Sequence, residues 1–151
     1  MHITFEILSF LLLPILLARG EIQWNEDCNF EQSIDLGASF YFRSPNYPAQ
    51  YQPETNCKLK AATNWANNQL ELKCNIDIPK DKKGCINHRM VVITYVDSVE
   101  NPKSTRVYCG KREFTETILD PKKYAQMYVE FTSNGNKTGK FACTVSNKGV
   151  K

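Results

Sequence analysis

Histidine is scarce in this chain, and the scarcity closes off most catalytic and metal chemistry. Of 151 residues only His2 and His88 are histidine, and His2 falls in an N-terminal apolar segment read below as a leader. Nucleophilic hydrolysis needs a serine or cysteine beside a base that a third group orients. With His88 as the one remaining candidate base, no Gly-x-Ser-x-Gly and no uncommitted cysteine, that constellation is missing. Carboxylate pairs such as Glu113 and Glu116 read as solvating charges rather than as acid and base. No Cys-x-x-Cys occurs either, which with a single histidine excludes a structural zinc site. The sequence implies no catalytic residue, no metal and no cofactor.

Other absences bound the architecture. No sustained helical apolar stripe, internal repeat, low-complexity tract or linker interrupts the chain. The formal charge of +3 is modest, and no nucleic-acid recognition module is present, so a nucleic-acid partner is excluded. One long apolar run exists, from Ile7 to Leu17 within residues 1–20. It is too short and too early for a membrane span, and it fits a secretory signal peptide with small residues Ala18 and Gly20 before the cut. Removing residues 1–20 takes away Glu6 and Arg19, so the charge stays at +3. No membrane span or lipidation signal is evident after it, and residues 21–151 suit one secreted, extracellular domain.

What is present in quantity is cysteine and strand pattern. All six cysteines, Cys28, Cys57, Cys74, Cys85, Cys109 and Cys143, follow the leader, and an even count in an oxidising compartment predicts three disulfides with fifteen possible pairings. In Leu70-Glu71-Leu72-Lys73-Cys74-Asn75-Ile76 and Phe141-Ala142-Cys143-Thr144-Val145 the apolar residues alternate with polar ones. That alternation turns Cys74 and Cys143 toward the core on separate strands, as natural partners. Strand signals recur over Ser39–Arg43, Gln69–Ile76, Met90–Val96, Thr105–Tyr108, Gln126–Thr132 and Lys140–Val145. Breakers separate them at Pro45 and Pro48, at Pro79 with Gly84, at Pro102, at Pro121, and at Gly135 with Gly139, and Asn64–Asn68 reads as loop. The pattern is all-β.

Ser44-Pro45-Asn46-Tyr47-Pro48 followed by Tyr51 and Asn56-Cys57, then Tyr108-Cys109-Gly110, Phe131-Thr132-Ser133 and Gly139-Lys140-Phe141, resemble the CUB domain. The likeness covers about residues 28–146 and implies a jelly-roll β-sandwich used as a binding module. It also implies disulfides Cys28–Cys57 and Cys85–Cys109, which leaves Cys74 and Cys143 for each other. Many members carry tryptophan two residues after the second cysteine, where this chain has Leu59. Burial of Trp65 or another neighbour is the expected way to fill that space.

Many CUB domains hold Ca²⁺ with a glutamate ahead of the third family cysteine, an aspartate three residues after it, and an aspartate following Phe-x-Ser. Here those positions are Pro79 or Lys80, His88 and Asn134, none of them a carboxylate. Since Ca²⁺ relies on several anionic oxygens, the family's site is expected to be lost, with Asp77 and Asp81 as the only material for a rearranged one. Binding of a partner's basic side chain through that ion is then not expected.

The loop Pro79-Lys80-Asp81-Lys82-Lys83-Gly84, with Lys137 and Lys140, reads as a solvated basic surface. Its alternative use is to meet an acidic protein, heparin-like sugar or phospholipid. Asn136-Lys137-Thr138 is an N-glycosylation sequon in a turn, so a glycan at Asn136 is expected.

The spacing of Cys28-Asn29-Phe30, Leu36-Gly37 and Tyr41, with the extra pair Cys74 and Cys143, resembles arthropod CUB domains in the venoms and saliva of predatory bugs. The resemblance implies a non-enzymatic venom or salivary binding module for an extracellular protein or glycan. Its rivals are a regulator or partner of a trypsin-like secreted protease and a carbohydrate-binding protein like those of seminal fluid. The binding residues themselves are not legible in the sequence.

Overall fold

The computed structural model describes residues 21–96 and 100–150. The leader expected over residues 1–20 lies outside the described residues. Among the described residues a short 3₁₀ turn, Glu26–Cys28, precedes nine strands: β1 Asn29–Ile34, β2 Ser39–Arg43, β3 Cys57–Thr63, β4 Asn68–Ile78, β5 His88–Val96, β6 Pro102–Tyr108, β7 Gly110–Leu119, β8 Ala125–Ser133 and β9 Lys140–Gly149. They form a five-stranded sheet, β1-β3-β8-β5-β6, facing a four-stranded sheet, β2-β9-β4-β7. All pairings are antiparallel except β1 with β3. The fold is the expected all-β sandwich. No helix among the described residues is long and apolar enough to cross a membrane.

Period-two alternation builds the core. Along β3, β4, β8 and β9 every second side chain is buried, so Leu59, Leu70, Leu72, Ile76, Met127, Val129, Phe131, Phe141 and Val145 meet between the sheets. A run of rings extends this core, Tyr51 against Phe131 at 4.9 Å, Phe131 against Phe141 at 5.1 Å and Phe141 against Phe42 at 5.2 Å. Trp65 plays no part in it: its side chain is 73% exposed, while Leu59 is fully buried opposite Val129. The expectation that Trp65 could be drawn inward is corrected.

Three strands depart from the sequence reading. β1 is a polar parallel edge, β3 mixes two lysines with two alanines, and β7 is an edge rich in charge. None carries the β-branched and aromatic density that marks a strand in isolation. Pro102, read as a breaker, is the first residue of edge strand β6, where its missing N–H does no harm. The loop read over Asn64–Asn68 ends one residue early, since left-handed Asn67 (φ 62°) turns the chain and Asn68 opens β4.

Three disulfides tie the sandwich, Cys28–Cys57, Cys74–Cys143 and Cys85–Cys109. The second joins directly opposed residues of neighbouring strands β4 and β9.

Candidate functional site

The strand order gathers the loops β2–β3, β4–β5 and β8–β9 at one end of the sandwich, together with the turn before β1 and the Cys109 corner. The residues singled out from sequence, Lys80 to Lys83, His88, Asn134, Asn136 and Lys137, therefore share one end. Cross-ties hold these loops together. The Asn87 N–H donates to the Asp81 carboxylate at 2.9 Å, Asp81 and Gly84 exchange backbone bonds at 3.0 Å, and the Asn134 N–H donates to the Asn87 carbonyl at 2.8 Å. Lys137 Nζ lies 3.7 Å from Asp81 Oδ1. The Thr138 hydroxyl donates to Gln50 Oε1 at 2.6 Å, and the Tyr51 N–H to the Gly139 carbonyl at 2.8 Å.

The electrostatics follow from these contacts. The Asn87 N–H, then Lys137 and His88, hold the Asp81 carboxyl below its ordinary range. His88 opens β5 and is 2% exposed, and burial lowers its pKa so that the imidazole is neutral at pH 7. Among the described residues its Nδ1 has no hydrogen-bond partner, and neither has the hydroxyl of Ser133, which faces it in the β5–β8 register. No bonded Ser–His couple is formed. Glu113 and Glu116 are separated by the pleat: Glu113 accepts from Asn75 Nδ2 at 3.1 Å, whereas Glu116 accepts from the Tyr108 hydroxyl and pairs with Arg106 at 3.3 Å.

The donors at the family's calcium positions do not fit that ion. His88 offers a buried imidazole and Asn134 a neutral amide, and the one nearby carboxylate, Asp81, already faces the Lys137 ammonium. Asp77 lies on the outer face of β4, opposite Lys140 and Lys111 in the neighbouring strands. Among the described residues no three His, Cys, Asp or Glu side chains form a group able to hold a metal.

Beside the cross-tied loops lies an open cleft of about 670 Å³, whose walls include Trp24, Gln52, Glu54, Arg89 and Ser133. Asn56 builds its floor, donating from Nδ2 to the Gln23 carbonyl at 3.1 Å and accepting the Ser133 N–H at Oδ1 at 3.3 Å. Sequence reading quoted Asn56 in the Asn56-Cys57 string but assigned it no part in a site. Lys80, Lys82 and Lys83 form no ion pair among the described residues, and Asn136 is exposed in its turn.

The comparisons agree with this architecture. The chain is similar in structure to part of the full extracellular region of zebrafish Gpr126/Adgrg6, at TM-score 0.61 and 20% identity, covering 82% of this chain and 15% of that one. It is likewise similar to the CUB1-EGF-CUB2 domains of rat MASP-1, at TM-score 0.54 and 16% identity, covering 82% and 44%. This chain thus spans less than half the length of either. No curated protein matches it in sequence. The family model described as CUB domain matches residues 28–142, and on that match the chain belongs to the CUB domain family.

Proposed function

We propose that this chain is a secreted, non-enzymatic CUB binding module of a venom or saliva, acting on an extracellular target. CUB domains are generally non-catalytic binding modules. The observation that carries the reading is His88: the one histidine after the leader is buried, neutral and without a bonded nucleophile, while the surrounding loops form a cross-tied, exposed platform. Three disulfides in a domain of this size support an extracellular setting. The venom or salivary assignment rests on the resemblance of Cys28-Asn29-Phe30, Leu36-Gly37, Tyr41 and the Cys74, Cys143 pair to predatory-bug proteins. A glycan on Asn136 would shield the β8–β9 turn and leave the flanks of the sandwich as contact surface.

The test is a pull-down with recombinant protein from the native secretion and from prey or host tissue, alongside transcript levels in venom or salivary gland. A saturable partner and gland-enriched transcript are expected. Peptide or ester cleavage by pure recombinant protein, lost in His88→Ala, would overturn the non-enzymatic reading. Transcript spread evenly over tissues would overturn the secretion assignment.

A further inference from the structure

The two sides of the sandwich treat their strand edges differently. On one side β6 and β7 are blunted and stitched together. β6 opens with Pro102 and carries Lys103 and Arg106, and β7 carries Lys111, Arg112, Glu113 and Glu116. Tyr108 stacks on Phe114 at 3.7 Å, Arg112 lies 5.4 Å over the Tyr108 ring, and Glu116 takes both the Tyr108 hydroxyl and Arg106. On the opposite side β2, Ser39-Phe40-Tyr41-Phe42-Arg43, has β9 as its single neighbouring strand among the described residues and contains one charge, no proline and two outward-facing residues of binding-site character.

The register shows which backbone groups of β2 are open. The Asn147 N–H donates to the Ala38 carbonyl at 3.1 Å and the Ser44 N–H to the Phe141 carbonyl at 3.0 Å. Stepping by two between these bonds, Phe40 and Phe42 turn their N–H and C=O toward β9, so Ser39, Tyr41 and Arg43 turn theirs to the unpaired edge. Tyr41 and Arg43 also project their side chains to the outer face, Tyr41 being 62% exposed. The Arg43 guanidinium sits 5.1 Å from the Tyr41 ring and 5.6 Å from that of Tyr47, which is 40% exposed. Arg43 forms no ion pair among the described residues. A cleft of about 420 Å³ opens beside it, with Phe30, Pro45 and Asn46 in its walls and Asp27 also lining it without pairing Arg43.

We infer that the open edge of β2 is a docking strand for an extended peptide of a partner protein, with an acidic side chain of that peptide received by Arg43 between Tyr41 and Tyr47. The inference rests on the binding-module reading and names its surface and the partner's chemistry. A polypeptide supplies the alternating N–H and C=O groups that the edge lacks, which a glycan does not. A guanidinium framed by two phenol rings is already oriented, and tyrosine and arginine are the residues that anchor protein contacts. The uncompensated positive charge selects carboxylate over ammonium.

Two measurements test this on the full secreted chain. In hydrogen exchange the free protein should lose the Tyr41 and Arg43 amide protons quickly while those of Phe40 and Phe42 are protected; protection of all four alike would show the edge closed and overturn the inference without touching the binding-module reading. The second uses a labelled short peptide of alternating valine and threonine with one central glutamate, and its lysine twin, in fluorescence anisotropy. The glutamate peptide should bind about five- to ten-fold more tightly, slow exchange at Tyr41 and Arg43, and lose binding when its edge-facing nitrogens are methylated. Arg43→Ala should remove the preference and Arg43→Glu invert it. Failure of the glutamate peptide to bind, equal binding of both peptides, indifference to methylation, displacement by heparin alone, or protection of β2 by self-association would each overturn it. A partner captured equally by wild type and Arg43→Ala would leave the module reading standing and the docking strand refuted.

Discussion

Lys137 places its ammonium 3.7 Å from the Asp81 carboxylate, so a cation supplied by the β8–β9 loop faces the one acid that the β4–β5 loop turns toward it. The two loops are thereby joined where many CUB domains are joined through an ion. Stability should accordingly be indifferent to calcium. A site with affinity near 10 μM would add roughly 2.7 kcal/mol at about 1 mM Ca²⁺, a rise on the order of 10 °C in thermal midpoint for a domain of this size. No shift between calcium and chelator is expected in a thermal melt. A reproducible rise would show that Asp81, Asp77 or backbone carbonyls assemble a site after all.

The same cluster fixes the direction of the pH response. Burial lowers the His88 pKa, opposed by Asp81 and assisted by Lys137, so the folded state holds the neutral imidazole while the unfolded chain takes a proton near pH 6.5. Its contribution is complete above about pH 7 and declines as pH falls below that value toward the folded pKa. Asp81 is lowered by the Asn87 N–H and then by Lys137 and His88, so its contribution is complete above about pH 4 and is lost as pH falls through its folded pKa. Thermal midpoints of the wild type should fall in two limbs. His88→Gln should flatten the upper limb and Asp81→Asn the lower one; an unchanged upper limb in His88→Gln would count against the assignment.

The alternation that placed β4, β5, β8 and β9 is visible in sequence because bulky apolar residues recur at their buried positions, whereas interior β3 alternates as regularly but buries only Cys57, Leu59, Ala61 and Thr63 and was not legible. Edge strands obey weaker constraints, which is why charged β7 and polar β1 were not legible and why β6 was cut short at Pro102. His88 lay just outside the Met90–Val96 strand signal, and nothing local says that it is buried. The loop candidates were legible singly, but their gathering at one end depends on strand order. The Arg43 clamp was not legible at all, because Tyr47 reaches the guanidinium from the β2–β3 loop rather than from the strand.

Gly139 should tolerate no side chain. A Cβ there would run into the Asp77 carbonyl and come within 2.9 Å of the Tyr51 hydroxyl, both fixed in the core end of the loop cluster. Relief requires moving backbone and the Tyr51 ring that packs on Phe131. Gly139→Ala should cost about 3 kcal/mol, the upper end for an overpacked core. Gly135→Ala is the control: its φ of +98° is strained for alanine but open space surrounds it, so a loss of about 1 kcal/mol is expected. Chemical denaturation of both variants checks the order, and a Gly139→Ala variant as stable as Gly135→Ala would show that the loop yields.

The cystines differ in what they should contribute. Cys74–Cys143 closes a separation of 69 residues, against 29 for Cys28–Cys57 and 24 for Cys85–Cys109. On chain entropy alone these correspond to about 4.4, 3.6 and 3.5 kcal/mol. The longest bridge also links strands already held in register from Asn68–Gly149 to Asp77–Lys140, so its removal should leave the sheet intact. Cys74→Ala with Cys143→Ala should therefore fold, with a loss near 4 kcal/mol. Cys74→Ala alone should secrete less well, because the Cys143 thiol left behind can attack the other bridges during folding. Peptide mapping without reduction should return the three pairs from wild type and two from the double variant. A free thiol in the wild type, or Cys74 joined to Cys85, would overturn the framework, and a double variant worse than the single would show that the Cys74–Cys143 bridge shapes the native sheet rather than restricting the unfolded chain.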